Sequence, residues 1–203
     1  MAESFATRGT EVTEKRSATT RTLGRDDWMT PPTLFDPVHE AMDFNLDACA
    51  TNSDVARVDP FIDPRTDALR VPWSQYGSRV WVNPPYGRGI NHWFAKVAKE
   101  AEHCESITLL TYANTDTRYW QEHVVRCPWA RVVCFLKPRV KFQLPEGTEP
   151  PTGKRKVGAP KGSALIFYTQ GTAPRHGPLH HSYWDYAEQP SFKLHASAAG
   201  GLG

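Results

Sequence analysis

Short apolar segments alternate with amphipathic segments along most of this chain, and this alternation limits its possible folds more than any other feature. The apolar segments are rich in β-branched and aromatic residues, as strands are. They cover residues 44–48, 79–83, 107–112, 132–136 and 164–168. Strands that alternate with helices form mostly parallel sheets with helices packed on them. The pattern therefore predicts an α/β fold of this kind.

Three segments carry apolar residues at helical spacing. The first helix is predicted to open at Pro31-Pro32, with Thr30 as its N-cap, because proline is tolerated in the first turn. The apolar face consists of Leu34, Phe35, Val38 and Met42 in this helix, and of Trp93, Phe94, Val97, Ala98 and Ala101 in the second. The third predicted helix covers residues 119–125.

Composition divides the chain into three parts. Residues 1–25 are rich in Thr, Ser, Arg and Glu with almost no large apolar residues, and they are predicted to be a disordered tail. Residues 26–170 contain the predicted helices and strands and form the expected folded domain. Residues 171–203 show no clean period and are predicted to be a partly disordered C-terminal extension. Four aromatic residues of this extension are candidates to anchor it: Tyr183, Trp184, Tyr186 and Phe192.

Several classes of protein are excluded by simple counts. No apolar run approaches the ~18 residues of a membrane span, and residues 1–25 lack the apolar stretch of a secretory signal. The four cysteines show no C-x-x-C spacing, which argues against a zinc ribbon or a disulfide scaffold. We therefore expect a protein of a reducing cytoplasm, with no membrane partner.

The formal net charge of +2 hides an uneven distribution. Residues 26–135 carry ten basic and fifteen acidic side chains, whereas residues 136–161 carry seven basic and two acidic ones. A short basic strip on an acidic body is typical of a surface that binds a polyanion. On charge alone, a solvated basic loop is an equally good interpretation.

The tetrapeptide Asn83-Pro84-Pro85-Tyr86 stands where a predicted strand ends, and ligands of α/β sheets bind at that end of the strands. Asn83 supplies a side-chain carbonyl, and the prolines, which lack N–H groups, leave backbone carbonyls on a stiff turn. Two acceptors suit a planar amino group with two hydrogens, and Tyr86 adds an aromatic face. The tetrapeptide is thus a candidate site for an exocyclic amine; a simple strand-ending turn is the alternative.

A second candidate lies at the end of the predicted strand 44–48. Asp47 is followed by the small residues Ala48-Cys49-Ala50, which allow a ligand to approach the backbone closely. An acid at this position is suited to an ammonium group. Residues 26–70 hold ten acids against three arginines, although a solvated acidic surface accounts for most of these acids. Cys49 is interpreted as a small buried residue rather than a nucleophile.

Several segments, taken in order, resemble the phage-type DNA N6-adenine methyltransferases. The similarity covers about residues 27–168 and depends on the order and spacing of the segments rather than on one tetrapeptide. The matching segments are residues 27–31, 44–50, 67–69 with Trp73, 80–86, 115–120, 139–142 and 162–165. Three departures are the replacement of a glycine-rich turn by Ala48-Cys49-Ala50, the presence of Pro138 before Arg139, and a tail beyond Tyr168 for which no counterpart is recognised.

The resemblance implies a Rossmann-like methyltransferase that uses S-adenosylmethionine and acts on double-stranded DNA, in a bacterial host cytoplasm if phage-encoded. It implies cofactor contacts for Trp28, Thr30, Pro31, Asp47, Ala48 and Asp67, with Asp47 toward the ammonium group or neighbouring backbone and Asp67 toward the ribose or adenine. It assigns Asn83, Pro84, Pro85 and Tyr86 to a flipped adenine. The phosphate-binding candidates are Arg139, Lys141, Lys154, Arg155 and Lys156.

Other functions stay open at this stage. The tetrapeptide also suits cytosine N4, an adenine in RNA or a protein glutamine, and the chain is alternatively a catalytically inactive DNA-binding relative. The pair His180-His181 lacks further ligands at regular spacing, so no metal site is expected. The recognition sequence and the oligomeric state do not follow from the residues.

Overall fold

The computed structural model describes residues 28–144, 159–170 and 177–193. The predicted tail (1–25), the basic residues Lys154, Arg155 and Lys156, and residues 171–176 and 194–203 of the C-terminal extension lie outside the described residues. The helices and strands, in chain order, are α1 (Pro32–Met42), β1 (Leu46–Asp47), β2 (Arg79–Val82), α2 (Ile90–Glu100), β3 (Ser106–Tyr112), α3 (Arg118–Trp120, continued by a π-helical turn Gln121–Val125), β4 (Ala130–Lys137), β5 (Ser163–Thr169) and β6 (His180–Asp185).

One six-stranded sheet, in the order β1-β2-β3-β5-β4-β6, forms the centre of the described residues. The pairs β1–β2, β2–β3 and β4–β6 are parallel, whereas β5 is antiparallel to both β3 and β4. Five strands therefore run in one direction and β5 runs in the other. The predicted mostly parallel α/β fold is confirmed, and the carboxyl ends of β1 to β4 meet at one edge of the sheet.

Helices pack on both faces of this sheet. Successive side chains of a strand point to opposite faces, so Val80 and Val82 join the apolar cluster that contains Phe94 of α2, while Trp81 joins the cluster that contains Phe35 of α1. The predicted apolar face of α1 is confirmed, since Leu34, Phe35, Val38 and Met42 are all buried. On α2, Phe94 and Val97 are buried, and Trp93 and Ala98 pack beside them.

The start of α1 differs from the prediction. The helix begins at Pro32, and Pro31 takes the N-cap position, where its carbonyl accepts the N–H groups of Leu34 and Phe35 at 3.0 Å each. Thr30 is therefore one residue too early to cap the helix. Its hydroxyl is buried and has no hydrogen-bond partner among the described residues.

The sheet continues beyond residue 170, where the sequence pattern placed the end of the folded domain. Strand β6 pairs in parallel with β4 over six residues, with Trp184 opposite Leu136. Trp184, Tyr186 and Phe192 are buried against the α1 face, whereas Tyr183 is 82% exposed. The boundary was set too early because β6 is mostly polar: one face of an edge strand is solvated, so it lacks an apolar run.

Residues before β2 align it with β1. The Asn45 side-chain oxygen accepts the N–H groups of Ser78 and Arg79 at 3.0 and 2.9 Å. At Gly77 a Cβ atom would lie 2.7 Å from the Asn45 backbone oxygen, so only glycine fits this approach. The alignment sets Leu46 opposite Val80, which brings Asp47 and Asn83 to neighbouring strand ends.

Candidate active site

A cleft of about 1710 Å³ opens at the edge where β1 to β4 end. Its walls include the ends of β1 to β3 and the residues after β1, β2 and β4 and, because β5 is antiparallel, Ala159 and Pro160 just before that strand. The predicted residues that line the cleft are Trp28, Thr30, Asp47, Ala48, Asp67, Asn83, Pro84, Pro85, Tyr86, Arg139 and Lys141. Pro31 does not line it and instead caps α1. The fold thus brings the acidic and the tetrapeptide candidates into one cavity.

The Asn83–Tyr86 turn begins directly after β2, where the prolines end the hydrogen-bond ladder. Pro84 is buried, and Asn83, Pro85 and Tyr86 are half-buried. The Pro85 carbonyl accepts the N–H of Gly87 at 3.1 Å and so closes the turn. The Pro84 carbonyl accepts no hydrogen bond from the residues that the structure describes. An acceptor on a rigid turn is therefore available in the cleft.

Tyr86 is held at both ends of its side chain. Its hydroxyl donates to Asn83 Oδ1 at 2.8 Å and lies 3.2 Å from the Leu110 carbonyl oxygen. Its ring stacks on Tyr112, with centroids 4.2 Å apart and an angle of 24° between the planes, and Phe142 packs at 5.9 Å. Burial raises the pKa of Tyr86 well above its ordinary value, so the hydroxyl stays protonated. A planar ligand that stacks on Tyr86 must use the ring face away from Tyr112.

Asp47 ends β1 with its carboxylate buried. One carboxylate oxygen accepts the N–H of Cys49 at 3.0 Å, and the other accepts the N–H of Arg57 at 3.0 Å. Burial raises the pKa of Asp47 to about 6, against the opposing effect of these two bonds and of the Arg57 charge. Asp47 therefore holds the loop from Cys49 to Arg57 in place and is nevertheless easily protonated.

Arg57 and Tyr112 line the cleft and were not singled out from the sequence. The Arg57 guanidinium pairs with Asp36 at 3.2 Å and lies 4.8 Å from the Phe35 ring centroid, while its Nε is buried without a hydrogen-bond partner among the described residues. Tyr112 is the last residue of β3, and the rule that ligands bind at carboxyl ends of strands was sufficient to find it. Arg57 lies in a loop, where the sequence offers no comparable signal.

Asp67 lines the cleft from a tight turn. Its φ is 59°, and its carboxylate accepts the N–H of Leu69 at 3.2 Å and pairs with Arg70 at 3.0 Å. The segment that follows is anchored to α2, because Glu100 accepts the N–H of Trp73 at 2.8 Å and Lys96 donates to the Val71 carbonyl at 2.8 Å. This wall of the cleft therefore depends on a buried ion pair in a neighbouring helix.

Basic side chains lie on the β4 side of the cleft. Arg139 and Lys141 are exposed and follow β4, and Arg139 donates to the Pro160 carbonyl at 3.1 Å. This end of the cleft is cationic, whereas the β1 end carries three acids, Asp47, Asp63 and Asp67, and one arginine, Arg57. The two halves are suited to ligands of opposite charge.

Neither a membrane-spanning helix nor a metal cluster occurs in the described part of the chain. No helix in 28–144, 159–170 or 177–193 is long and apolar enough to cross a bilayer. Within the same ranges, no three side chains of His, Cys, Asp or Glu come together as a metal site requires.

Comparison with known proteins gives one family. The family model described as DNA N-6-adenine-methyltransferase (Dam) matches residues 17–185, which include every described strand and helix. A search of curated proteins found no match.

Proposed function

The chain belongs to the DNA N-6-adenine-methyltransferase (Dam) family, and we propose that it transfers a methyl group from S-adenosylmethionine to the exocyclic amine of a flipped adenine in DNA. One observation carries this proposal. The acceptor turn Asn83–Tyr86 and the acid Asp47 line the same cleft, at the ends of adjacent strands. The cleft therefore offers adjacent binding sites to a cationic cofactor and a neutral amine.

The residues at the β1 end fit S-adenosylmethionine. This cofactor carries an ammonium, a carboxylate and a sulfonium group, and it supplies an activated methyl group when bound. Asp47 offers a carboxylate to the ammonium group, and Asp67 offers one toward the ribose. Thr30 Oγ1 and Arg57 Nε are buried polar atoms without partners among the described residues, on two residues that line the cleft. Such atoms are costly unless a ligand or water satisfies them.

The cleft also has room for both reactants. Pockets for one drug-sized ligand commonly measure ~300–1000 Å³, and this cleft measures about 1710 Å³. Trp28, Thr30 and Ala48 line the cofactor part, whereas Asn83 to Tyr86 line the part assigned to the base. Removing the adenine from a duplex costs a few kcal/mol. Stacking on the free face of Tyr86 returns roughly 1–3 kcal/mol of that cost.

The turn is suited to the transfer step itself. Asn83 and the Pro84 carbonyl accept the two hydrogens of the amine and stabilise the positive charge that develops on its nitrogen. The nitrogen forms a bond to the methyl carbon while the carbon–sulfur bond breaks and its electron pair goes to sulfur. The surplus proton then leaves the nitrogen to water. Because the methyl group is activated by the sulfonium, the residues need only position the reactants, and the mechanism needs neither a metal nor a covalent enzyme intermediate.

The basic side of the cleft accounts for DNA binding. Arg139 and Lys141 are exposed and line the cleft, and lysines and arginines bind phosphates without regard to sequence, which supports this role. Lys154, Arg155 and Lys156 follow in the same basic strip of the sequence and are assigned the same role.

Product analysis tests the proposed function. The purified protein is incubated with S-adenosylmethionine labelled in the methyl group and with duplex DNA of mixed sequence, RNA or a glutamine-containing protein. Nucleosides from the digested DNA are then separated by mass. N6-methyl-2′-deoxyadenosine from DNA is expected. Label in N4-methylcytosine, in RNA or in protein would assign the site to another amine, and absence of label from all of them would favour an inactive DNA-binding relative.

A further inference from the structure

The Tyr86 hydroxyl faces two acceptors and has one hydrogen. Its oxygen lies 2.8 Å from Asn83 Oδ1 and 3.2 Å from the Leu110 carbonyl oxygen. A phenol donates one hydrogen bond but also accepts, through the lone pairs of its oxygen. With the hydrogen directed to Asn83, the longer contact to Leu110 lacks a hydrogen of its own. One of the two lone pairs of the Asn83 oxygen, which the amine needs as an acceptor, is then engaged by Tyr86.

Rotating the Asn83 carboxamide by 180° gives the Tyr86–Leu110 contact its hydrogen and frees the Asn83 oxygen from Tyr86. The terminal torsion angle of asparagine has a broad distribution, so this rotation is easily made. The rotation exchanges the side-chain oxygen, an acceptor, with the side-chain nitrogen, a donor of nearly equal size. Nδ2–H then donates to the Tyr86 oxygen across the short contact, and the Tyr86 hydrogen goes to the Leu110 carbonyl. The Asn83 oxygen is released from Tyr86 and stands free to accept a hydrogen from the amine.

We propose that the Tyr86 hydroxyl is a positioning group that sets the Asn83 carboxamide: with substrate bound it accepts an N–H from Asn83, donates to the Leu110 carbonyl and leaves the Asn83 oxygen to the target amine. This inference rests on the proposed function, since it concerns the same turn. It adds to the stacking role of the Tyr86 ring a separate role for its oxygen.

The surroundings of Tyr86 make its oxygen a fixed reference point. The ring is held by Tyr112 at 4.2 Å on one face and by Phe142 at 5.9 Å. Leu110 belongs to the middle of β3, where it pairs with Leu165 of β5 and is fully buried. The Tyr86 oxygen therefore stays in place when the Asn83 carboxamide rotates, and the orientation of the carboxamide is set by this oxygen.

The first test removes the oxygen and keeps the ring. Tyr86→Phe is expected to lower kcat on the order of tenfold, the effect of removing one hydrogen bond that matters in the transition state. Affinity for S-adenosylmethionine and KM for DNA are expected to change by less than about twofold. Tyr119→Phe is the matched control, since its hydroxyl accepts a hydrogen bond from the Asn114 side chain at 3.0 Å outside the cleft, and its kcat is expected to be unchanged.

A double-mutant cycle separates positioning from a structural role. If Tyr86 acts through Asn83, Tyr86→Phe has almost no effect on kcat once Asn83→Ala is present, because residues that act as one unit are not additive. An equal loss in both backgrounds would overturn the proposal, as would a Tyr86→Phe variant with the wild-type kcat. A wild-type protein without methyl transfer would instead contradict the proposed function.

A second measurement does not depend on turnover. Selective ¹⁵N labelling of asparagine follows the Asn83 side-chain NH₂ group by NMR, and Asn83→Ala assigns its signal. In a complex with duplex DNA and S-adenosylhomocysteine, we expect these protons to exchange with water more slowly than those of the exposed Asn91, and Tyr86→Phe to remove the difference. Exchange as fast as at Asn91, or protection that survives in Tyr86→Phe, would overturn the proposal.

Discussion

The carboxylate of Asp47 accepts the backbone N–H of Arg57 at 3.0 Å, across ten residues of sequence. The same carboxylate accepts the N–H of Cys49, so one buried acid closes the whole loop after β1. Ionisation of Asp47 is therefore tied both to the shape of this loop and to the charge that the cleft offers a cofactor. Two predictions follow from this double role.

Asp47→Asn is expected to weaken binding of S-adenosylmethionine by roughly 10- to 150-fold, because it removes one charge-assisted hydrogen bond worth about 1.5–3 kcal/mol. Asparagine keeps the shape of the side chain but has no charge and one acceptor fewer. Calorimetric titration measures the change. Asp54→Asn, an exposed acid of the same loop, serves as the control. A dissociation constant equal to that of the wild type would move the ammonium site away from Asp47.

Cofactor affinity is expected to rise with pH between about 5 and 7. The pKa of Asp47 is about 6 in the free protein. A bound ammonium group favours the carboxylate, so binding lowers this pKa and releases a proton below pH 6. Affinity then increases by up to about tenfold per pH unit below the pKa and levels off above it. Titrations in two buffers of different ionisation enthalpy detect the proton. Proton uptake, or the same pH dependence in Asp47→Asn, would contradict this expectation.

Asn83→Ala is expected to lower kcat by about 10² or more, because the missing acceptor is used more strongly in the transition state than in the ground state. Cofactor affinity is expected to stay near that of the wild type. Methyl transfer under single-turnover conditions gives the chemical rate directly. Asn91→Ala, at an exposed position of α2, is the control. Near wild-type transfer by Asn83→Ala would remove Asn83 from the reaction.

Simultaneous replacement of Lys154, Arg155 and Lys156 by alanine is expected to weaken binding to all duplexes. The slope of log affinity against log salt concentration is expected to shrink by about 0.9 for each phosphate that the variant no longer neutralises. The control replaces three exposed basic residues on or directly after helices, Lys99, Arg118 and Arg126. Cofactor affinity is expected to be unchanged, since the proposed cofactor site lies at the other end of the cleft, near Asp47. Parallel salt plots for the triple variant and the wild type would mean that these residues touch no phosphate.

Glu100→Ala is expected to reduce the free energy of unfolding by about 3–5 kcal/mol, because it leaves the charge of Lys96 buried without its partner. The side chains of Glu100 and Lys96 are only 3% and 9% exposed. Denaturant unfolding measures the decrease. Glu105→Ala removes an acid that is 62% exposed and is expected to cost less than about 1 kcal/mol. Equal losses in the free energy of unfolding for the two substitutions would mean that the buried Lys96–Glu100 pair contributes no more to stability than an exposed pair.

The order of strands and helices was readable from the sequence, because side-chain period is a local property. Residues 79–83 and 107–112 were predicted as strands, and the structure has Arg79–Val82 and Ser106–Tyr112. The two prolines placed the end of β2 correctly for an equally local reason, since they cannot donate to a ladder. The candidate turn followed from the same reasoning.

Thr30 shows where local reasoning failed. Its residue type is typical of an N-cap, but Pro31 takes that position and the Thr30 hydroxyl lies buried beside the cleft. Strand β6 was missed for a related reason: its partner β4 lies more than forty residues earlier, and its solvated face hides the apolar period. For β6, pairing with a strand far away in the sequence overrode the local pattern.

The sequence alone indicated the segments that become β1 to β5 and the three helices, and which of them end in acceptors or acids, because these properties depend on residues a few positions apart. Only the tertiary structure decided that β5 runs against its neighbours, that Asp47 holds Arg57, and that the Tyr86 hydroxyl meets both Asn83 and the Leu110 carbonyl. The contact between Tyr86 and Leu110 depends on sheet order, because β2 and β3 are neighbouring strands. Burial of two apolar faces sets that order, and it leaves no trace in the local pattern of any one segment.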